Sequence, residues 1–481
     1  MSGTDAPVIL WFRRDLRLAD NPALTEAVAS GRPVMPLYVL DEAAEGRPLG
    51  GASKWWLERS LQGLAEALDK TGAPLILRRG PAEAVLRELI DETGADTVFM
   101  NRRFEPEAFA ADADIAHALK DEDVECRGFN GSLLARPGSV LSQADKPYKV
   151  FTPFYRALME AIEPPPARPA PERIAGVKGV ASDPLEDWGL YEAHPDWASR
   201  FDAKAPGEAA ALKRLADFIR RDLANYGVMR DRPGKPGTSR LSAALHWGEI
   251  SPWRVVLDVR AAVEAGTVTG QQAEAFVREI GWREFSAHLL HQFPTLPDRN
   301  FQPKFDDFPW RSDAAGLKAW QAGQTGYPMI DAGMRELWTT GWMHNRVRMV
   351  VASFLVKHLR IDWREGESWF WDTLIDADLA SNSQNWQWVA GSGADAAPYF
   401  RIFNPVSQGT KFDADGEYVR RWVPELKKLP DRWLHSPWEA PAEVRADAGV
   451  QLGKTYPRPI VDHAEARDAA LAAFKSLGNE G

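Results

Sequence analysis

Cysteine is nearly absent: Cys126 is the only one in 481 residues. One thiol cannot close an intramolecular disulfide or hold a cysteine-based metal cluster, so no metal is expected and a reducing, cytoplasmic setting fits. No apolar run reaches the roughly 20 residues that span a bilayer. The opening Met1-Ser2-Gly3-Thr4-Asp5 lacks a basic stretch followed by an apolar one, so neither an anchor nor a secretory leader is expected. A G-x-G-x-x-G fingerprint after the first apolar run is missing too, which excludes the dinucleotide-binding unit built on that motif. Tyrosine is sparse, at 9 residues against 20 tryptophans, and seven of those tryptophans lie between Trp338 and Trp388. Core packing draws more readily on Leu, Ile and Val, so this density of indoles calls for a reason.

What is present describes a soluble globular protein: 44% hydrophobic and 26% charged residues. The length suits two domains. The net charge of −10 is unevenly spread. Glu83 to Glu125 carries 13 acidic and 4 basic residues, whereas Lys213 to Arg260 carries 10 basic and 5 acidic. Only a local basic face matters to a phosphate backbone, so the average does not exclude nucleic acid.

Residues 1–130 alternate strand and helix signals. Val8–Phe12, Val34–Leu40, Leu75–Leu77, Thr97–Met100 and Val124–Gly128 read as strands. Between them, Ala23–Ala29 follows an Asp20-Asn21-Pro22 cap, and Lys54–Lys70 starts at a Ser53 cap and stops at Gly72. Ala82–Glu92 and Glu107–Lys120 complete the set. The pattern predicts a five-stranded parallel sheet with flanking helices, an α/β domain. Residues 131–206 form an interdomain connector, with the extended run PPPARPAPE from Pro164. From 207 to 481 the strand signals fade. Glu208–Leu223, Pro252–Glu264, Gln271–His291, Met329–Leu337, Asn345–Leu359 and Ser368–Ile375 predict an all-α domain.

Four clusters in that helical half carry chemistry. Gly237-Thr238-Ser239-Arg240-Leu241-Ser242 places hydroxyls at a predicted helix start, where free N–H groups bind phosphate; a plain Ser/Thr N-cap accounts for the same residues. Glu279, Trp282 and Arg283 share one helix face, as a surface ion pair beside a half-buried Trp also would. Asn345, Arg348 and Met349 share another, and Asp376 or Asp378 is placed to pair with Arg348. Asp378, Asn382 and Trp386 fall in line if their segment is helical, with Trp388 following, whereas any one of these indoles is also ordinary core. Pro398–Pro405 (PYFRIFNP) is too irregular for a helix and reads as an ordered loop.

Together, and in this order, these motifs resemble the photolyase/cryptochrome family. The resemblance runs from Trp11-Phe12-Arg13-Arg14-Asp15-Leu16-Arg17 through TSRLS, WREF, GWMHNR, LIDADLASN and NWQW to PYFRIFNP. It implies an α/β antenna domain and a helical domain holding a folded FAD. FAD contacts carried over by motif are Tyr226, Thr238, Ser239, Arg240, Leu241, Ser242, Arg283, Asn345, Arg348, Asp376, Asp378 and Asn382, the last facing flavin N5. The implied substrate is UV-damaged DNA containing cyclobutane pyrimidine dimers. Glu279, Trp282, Asn345, Met349 and Trp388 would line its cavity, and Arg230, Arg346 and Arg401 would meet phosphates. Glu279 would also act on the dimer during repair. Trp386, Trp363 and Trp310 would carry electrons to the flavin, which gives the indole excess its reason.

The implied activity is blue-light-driven dimer splitting by excited FADH⁻, a carbon–carbon lyase reaction. The alternative is a cryptochrome-type receptor without repair. Asn345 and Met349 stand where (6-4) photolyases carry a His pair, and Asn382 stands where plant cryptochromes carry Asp; both favour dimer repair. Gly51-Ala52-Ser53-Lys54-Trp55-Trp56-Leu57 resembles plant-cryptochrome sequence and points to class III. Methenyltetrahydrofolate is the implied antenna. Glu107 and Pro297-Asp298 depart from the class I antenna pocket, so no antenna residues are assigned. A monomer that contacts no membrane is expected.

Overall fold

A computed structural model describes residues 6–43, 46–165, 168–192, 194–396 and 400–478. Five strands, β1 (Val8–Phe12), β2 (Val34–Leu40), β3 (Ile76–Arg79), β4 (Thr97–Asn101) and β5 (Glu125–Phe129), form one parallel sheet in the order β3-β2-β1-β4-β5. Helices α1 (Pro22–Ala29), α2 (Gly51–Thr71), α3 (Ala82–Thr93) and α4 (Pro106–Lys120) connect them. Every residue of β1 is buried because both faces of the sheet are covered. Val8, Leu10 and Phe12 face Leu24 of α1 and Trp56 and Leu61 of α2. Ile9 and Trp11 face Leu86 and Leu89 of α3 and Ile115 and Leu119 of α4.

The expected fold class holds, with corrections at element ends. Helix α2 starts earlier than the Ser53 cap predicts: its N-cap is Gly50, which makes no side-chain cap bond. A Cβ on Gly50 would lie 2.2 Å from the Trp371 carbonyl oxygen, so a close approach between the two halves sets that boundary. Gly72 closes the same helix at φ +95°, as its type predicts.

The motif after β1 is structural. Arg17 is 1% exposed and donates to the carbonyls of Gly131 at 2.7 Å and Gly248 at 2.9 Å. Glu249, equally buried, accepts from the Trp56 indole at 3.0 Å, from Ser60 and from the Gly207 N–H at 2.7 Å. Sheet and helices are thus stitched together by hydrogen bonds from buried polar groups, those of Glu249 all made through Oε1.

Within the predicted connector lies α5 (Phe151–Ala161), whose Phe151, Phe154, Tyr155 and Leu158 join the main helical core. The helical half continues with α6 (Glu208–Arg221), α7 (Tyr226–Met229), α8 (Ser242–His246), α9 (Pro252–Glu264), α10 (Gly270–Gln292), α11 (Ala314–Gln321), α12 (Pro328–Thr340), α13 (Asn345–Ser353), α14 (Trp363–Thr373) and α15 (Leu379–Ala390). The long helix expected over Asn345–Leu359 changes to a single π turn at Phe354. Helix α14 begins five residues before the predicted Ser368, capped by Asp362. Pro398 and Tyr399 of the predicted loop lie outside the described residues; Phe400 to Asn404 are non-helical, and Asn404 caps the helix Pro405–Phe412. Among the described residues no helix is long and apolar enough to cross a membrane.

Candidate active site

The site is built on α13, α14 and α15. His344 caps α13, its ring accepting from the Arg346 N–H at 3.1 Å. One turn on, Arg348 donates to the Met343 carbonyl at 2.7 Å and to both oxygens of Asp376 at 3.1 and 2.8 Å. Asp376 rather than Asp378 is therefore its partner. Asp378 is not inside the helix: it is the N-cap of α15, accepting from the Ser381 N–H at 2.7 Å with His246 at 3.4 Å. Burial works against its charge. The hydrogen bond with His246, the Arg283 guanidinium and the Ser381 N–H outweigh burial and hold the carboxyl well below the usual carboxylate range.

Asn382 sits in the first turn of α15. Its Nδ2 donates to the Glu367 backbone carbonyl at 3.0 Å and to Glu367 Oε1 at 2.8 Å. Two acceptors on one side fix the amide, so Oδ1 is presented on the other side as an acceptor. Glu367, on α14, is itself bound by Arg47. Neither Glu367 nor Arg47 was reachable from local spacing, because their partners are far away in the chain.

The Gly237–Ser242 segment does not cap a helix through its hydroxyls. The N-cap of the short α8 is Leu241, which belongs to an apolar cluster with Tyr226, Leu245 and Ile280. Arg240 takes φ +50° and lays its guanidinium 4.3 Å over the Trp342 ring. Ser242 accepts from the Trp342 indole at 3.3 Å. Thr238 and Ser239 are half-buried, and no hydrogen bond among the described residues engages their hydroxyls.

Helix α10 supplies the neighbouring wall. Glu279 pairs with Arg230 at 2.7 Å, and burial raises its carboxyl although Arg230 opposes the rise. Arg230 also lies 5.3 Å over the Tyr226 ring. Trp282 is half-buried and stacks on Phe151 with centroids 3.7 Å apart and planes 8° from parallel. Arg346 is held by Asp231 at 2.9 Å and covers the Phe412 ring at 4.4 Å. Arg230 and Arg346, both expected to bind phosphate, are thus already paired with carboxylates. Arg401 is exposed, on a groove shared with Arg346, Lys411 and Arg467. Asn345 is exposed, and Met349 and Trp388 are half-buried, the Trp388 indole donating to the Asp395 carbonyl at 3.0 Å. Helices α10 and α15 touch through Ser286 and Gln384 at 3.3 Å.

The three expected wire residues differ in setting. Trp386 is 3% exposed and contacts Phe370 edge-on at 5.0 Å. A Cβ on Gly366 would lie 2.1 Å from that indole, so glycine there lets α14 close on it. Trp363 is fully buried and donates to Asn300 at 3.0 Å. Trp310 is half-buried beside Phe308 at 4.4 Å.

Arg283 donates to the carbonyls of Ser132 at 2.8 Å and Leu245 at 3.3 Å. Its neighbour Glu284 is fully buried; Oε2 accepts from the Leu134 and Ala135 N–H groups at 2.9 and 3.3 Å, while Oε1 accepts no hydrogen bond and has only the Arg283 guanidinium, 3.6 Å away. Burial pushes this carboxyl up to about 7, Arg283 and the two N–H groups only partly offsetting it. The fold thus favours the protonated form. Its contribution is complete below the ordinary carboxylate range and is lost as pH rises through about 7. Thermal melts between pH 5 and 8 should carry this loss, at most about 3 kcal/mol. Glu284→Gln should flatten the slope; parallel slopes in the two proteins would assign the effect elsewhere.

The residues fit a flavin dinucleotide. Thr238 and Ser239 offer free hydroxyls, Arg348 with Asp376 offers a fixed dipolar pair, Asn382 offers an oriented acceptor, and the buried His246 Nε2 lacks a partner. Residues 8–172 match the DNA photolyase family, and 276–476 match the FAD binding domain of DNA photolyase. A deoxyribodipyrimidine photo-lyase of Agrobacterium fabrum is 52% identical over 482 residues, covering 99% of each chain. Cryptochrome-1 of Arabidopsis thaliana is 40% identical over 97% of this chain and 70% of its own. The crystal structure of a bacterial class III photolyase from Agrobacterium tumefaciens superposes with a TM-score of 0.95 at 52% identity, over 98% of both chains. With matches running its whole length, the chain belongs to the photolyase/cryptochrome family and carries that family's helical FAD-binding domain.

Proposed function

We propose that the chain is a light-driven deoxyribodipyrimidine photolyase that splits cyclobutane pyrimidine dimers in DNA. The supporting observation is one pair of packed helices. Helix α10 carries Glu279, Trp282 and Arg283, and α15, which packs against it, carries Asn382, Trp386 and Trp388, so the residues assigned to the lesion and those assigned to the flavin stand on two adjoining helices. Reduced FAD, excited by light, supplies the electron that opens the cyclobutane ring and receives it back. The protein binds, orients and excludes water.

In this reading Trp282 and Trp388 present flat apolar surfaces to the two linked pyrimidines, and Glu279 accepts from their edges. DNA-modifying enzymes, photolyases among them, extrude the target base at a cost of a few kcal/mol, least for damaged bases. Stacking at about 1–3 kcal/mol per base offsets that cost. Thr238 and Ser239 bind the flavin phosphates, and Asn382 Oδ1 accepts from flavin N5–H, which favours the reduced cofactor FADH⁻. Arg401, with Arg230 and Arg346 once their carboxylate partners give way, meets DNA phosphates. Trp386, Trp363 and Trp310 pass electrons inward. The enzyme acts as a monomer.

The proposed antenna is a folate. Freshly purified protein should then add a near-UV folate band to the flavin bands.

The deciding experiment uses photoreduced holoprotein and an oligonucleotide holding one thymine dimer. Dimer loss under blue light, and none in the dark, is expected. Intact dimers with fully reduced flavin would instead make the protein a receptor. Trp386→Phe should nearly abolish photoreduction of oxidised flavin while chemically pre-reduced protein repairs at the wild-type rate. Equal loss of both would remove Trp386 from the electron path.

A further inference from the structure

We propose that Arg47, from the segment between β2 and α2, is a positioning residue that sets the polarity of the Asn382 amide toward the flavin by way of Glu367. This rests on the reading that Asn382 faces flavin N5.

Arg47 Nη1 lies 2.8 Å from each Glu367 oxygen. Its guanidinium also covers the Trp371 ring at 4.6 Å. The segment that carries it is fastened along α14. The Trp371 indole donates to the Pro48 carbonyl at 2.7 Å, the Gly51 N–H to Asp372 at 2.9 Å, and the Ser53 hydroxyl to the Leu374 carbonyl at 3.3 Å. Arg47 is therefore a built contact from the sheet half into the site.

The chemistry follows from Glu367. Its side chain is 5% exposed. Burial raises its carboxyl, Arg47 and the Asn382 amide oppose the rise, and Asp298 is the remaining charge that adds to it. Ionised, Glu367 can only accept, so Asn382 must turn Nδ2 toward it and Oδ1 away. Protonated, Glu367 can donate, so one of the two acceptors that fix Nδ2 is lost; only the Glu367 backbone carbonyl, 3.0 Å away, still holds the amide, and a reversed amide that offers an NH₂ group to the flavin becomes accessible. An oxygen facing N5 stabilises a protonated N5, and an NH₂ group does not. Arg47 keeps Glu367 an acceptor and so favours the reduced flavin.

The test measures the two-electron midpoint potential of the bound flavin in wild type, Arg47→Met, Arg47→Lys and Glu367→Gln holoproteins. Arg47→Met should lower the potential by at least about 30 mV, a tenfold shift toward oxidised flavin. Arg47→Lys should recover most of it, and Glu367→Gln combined with Arg47→Met should add no further shift. In the flavin-free protein, Arg47→Met should gain a protonated-carboxyl infrared band that is missing once Glu367→Gln is added. An unchanged potential in Arg47→Met, with flavin still bound, overturns the proposal, as does failure of Arg47→Lys to recover it. Asn382→Leu separates the two levels. If it leaves the potential unmoved, Asn382 does not face the flavin. If it moves the potential while Arg47→Met does not, only the role of Arg47 fails.

Discussion

Arg348→Met is expected to release the flavin and to lower the melting temperature of the flavin-free protein. Asp376, whose side chain is 2% exposed, loses its partner and is left as a buried carboxylate. Breaking a buried pair from one side costs about 3–5 kcal/mol, more than most single substitutions. Flavin-to-protein absorbance ratios after gel filtration and thermal melts check both effects. Adding Asp376→Asn should restore much of the stability, because the stranded charge is gone, but not the flavin. If the double variant is no more stable than Arg348→Met, the loss comes from packing of the long side chain.

Trp282→Ala is expected to weaken binding of dimer-containing DNA by roughly tenfold to a hundredfold, the equivalent of about 1–3 kcal/mol of lost stacking. Flavin content should not change. The indole is held flat by Phe151 behind it and by the Arg278 guanidinium 5.0 Å over the Phe151 ring, so it meets the lesion with little rotamer freedom left to lose. Trp282→Phe should keep much of the affinity. Titration of undamaged DNA gives the control, since its binding rests on phosphate contacts and should barely move. Equal weakening for damaged and undamaged duplex would place Trp282 outside the lesion pocket.

The sheet was readable because each strand is a short apolar run between turn signals, and α9 matches its predicted residues, Pro252–Glu264, because Ser251 and Pro252 mark its start chemically. Boundaries fail where tertiary contact overrides local signal. Gly50 starts α2 because Trp371 leaves no room for a side chain. Helix α5 goes unread because Pro153 sits in its first turn and the proline-rich run follows soon after. Groupings across one or two helical turns, such as Glu279 with Trp282 and Arg283, were open to spacing arguments, whereas for Arg348 the rarity of unpaired buried arginine left two partners, Asp376 and Asp378, of which the fold selects Asp376. Spacing cannot find Arg47 with Glu367 or Phe151 with Trp282. Such partners are chosen by how α2, α5, α10 and α14 dock, and no local pattern records that.

Arg17 carries a consequence for synthesis on the ribosome. Its guanidinium leaves the tunnel early, yet one of its acceptors, the Gly248 carbonyl, is made more than two hundred residues later. Until then the nascent sheet exposes an apolar seam in which Nη1 of the Arg17 guanidinium lacks the Gly248 carbonyl. A fragment ending near β5 should therefore be sticky and chaperone-dependent, and the sheet should reach its final protection from amide exchange only when the second half has arrived.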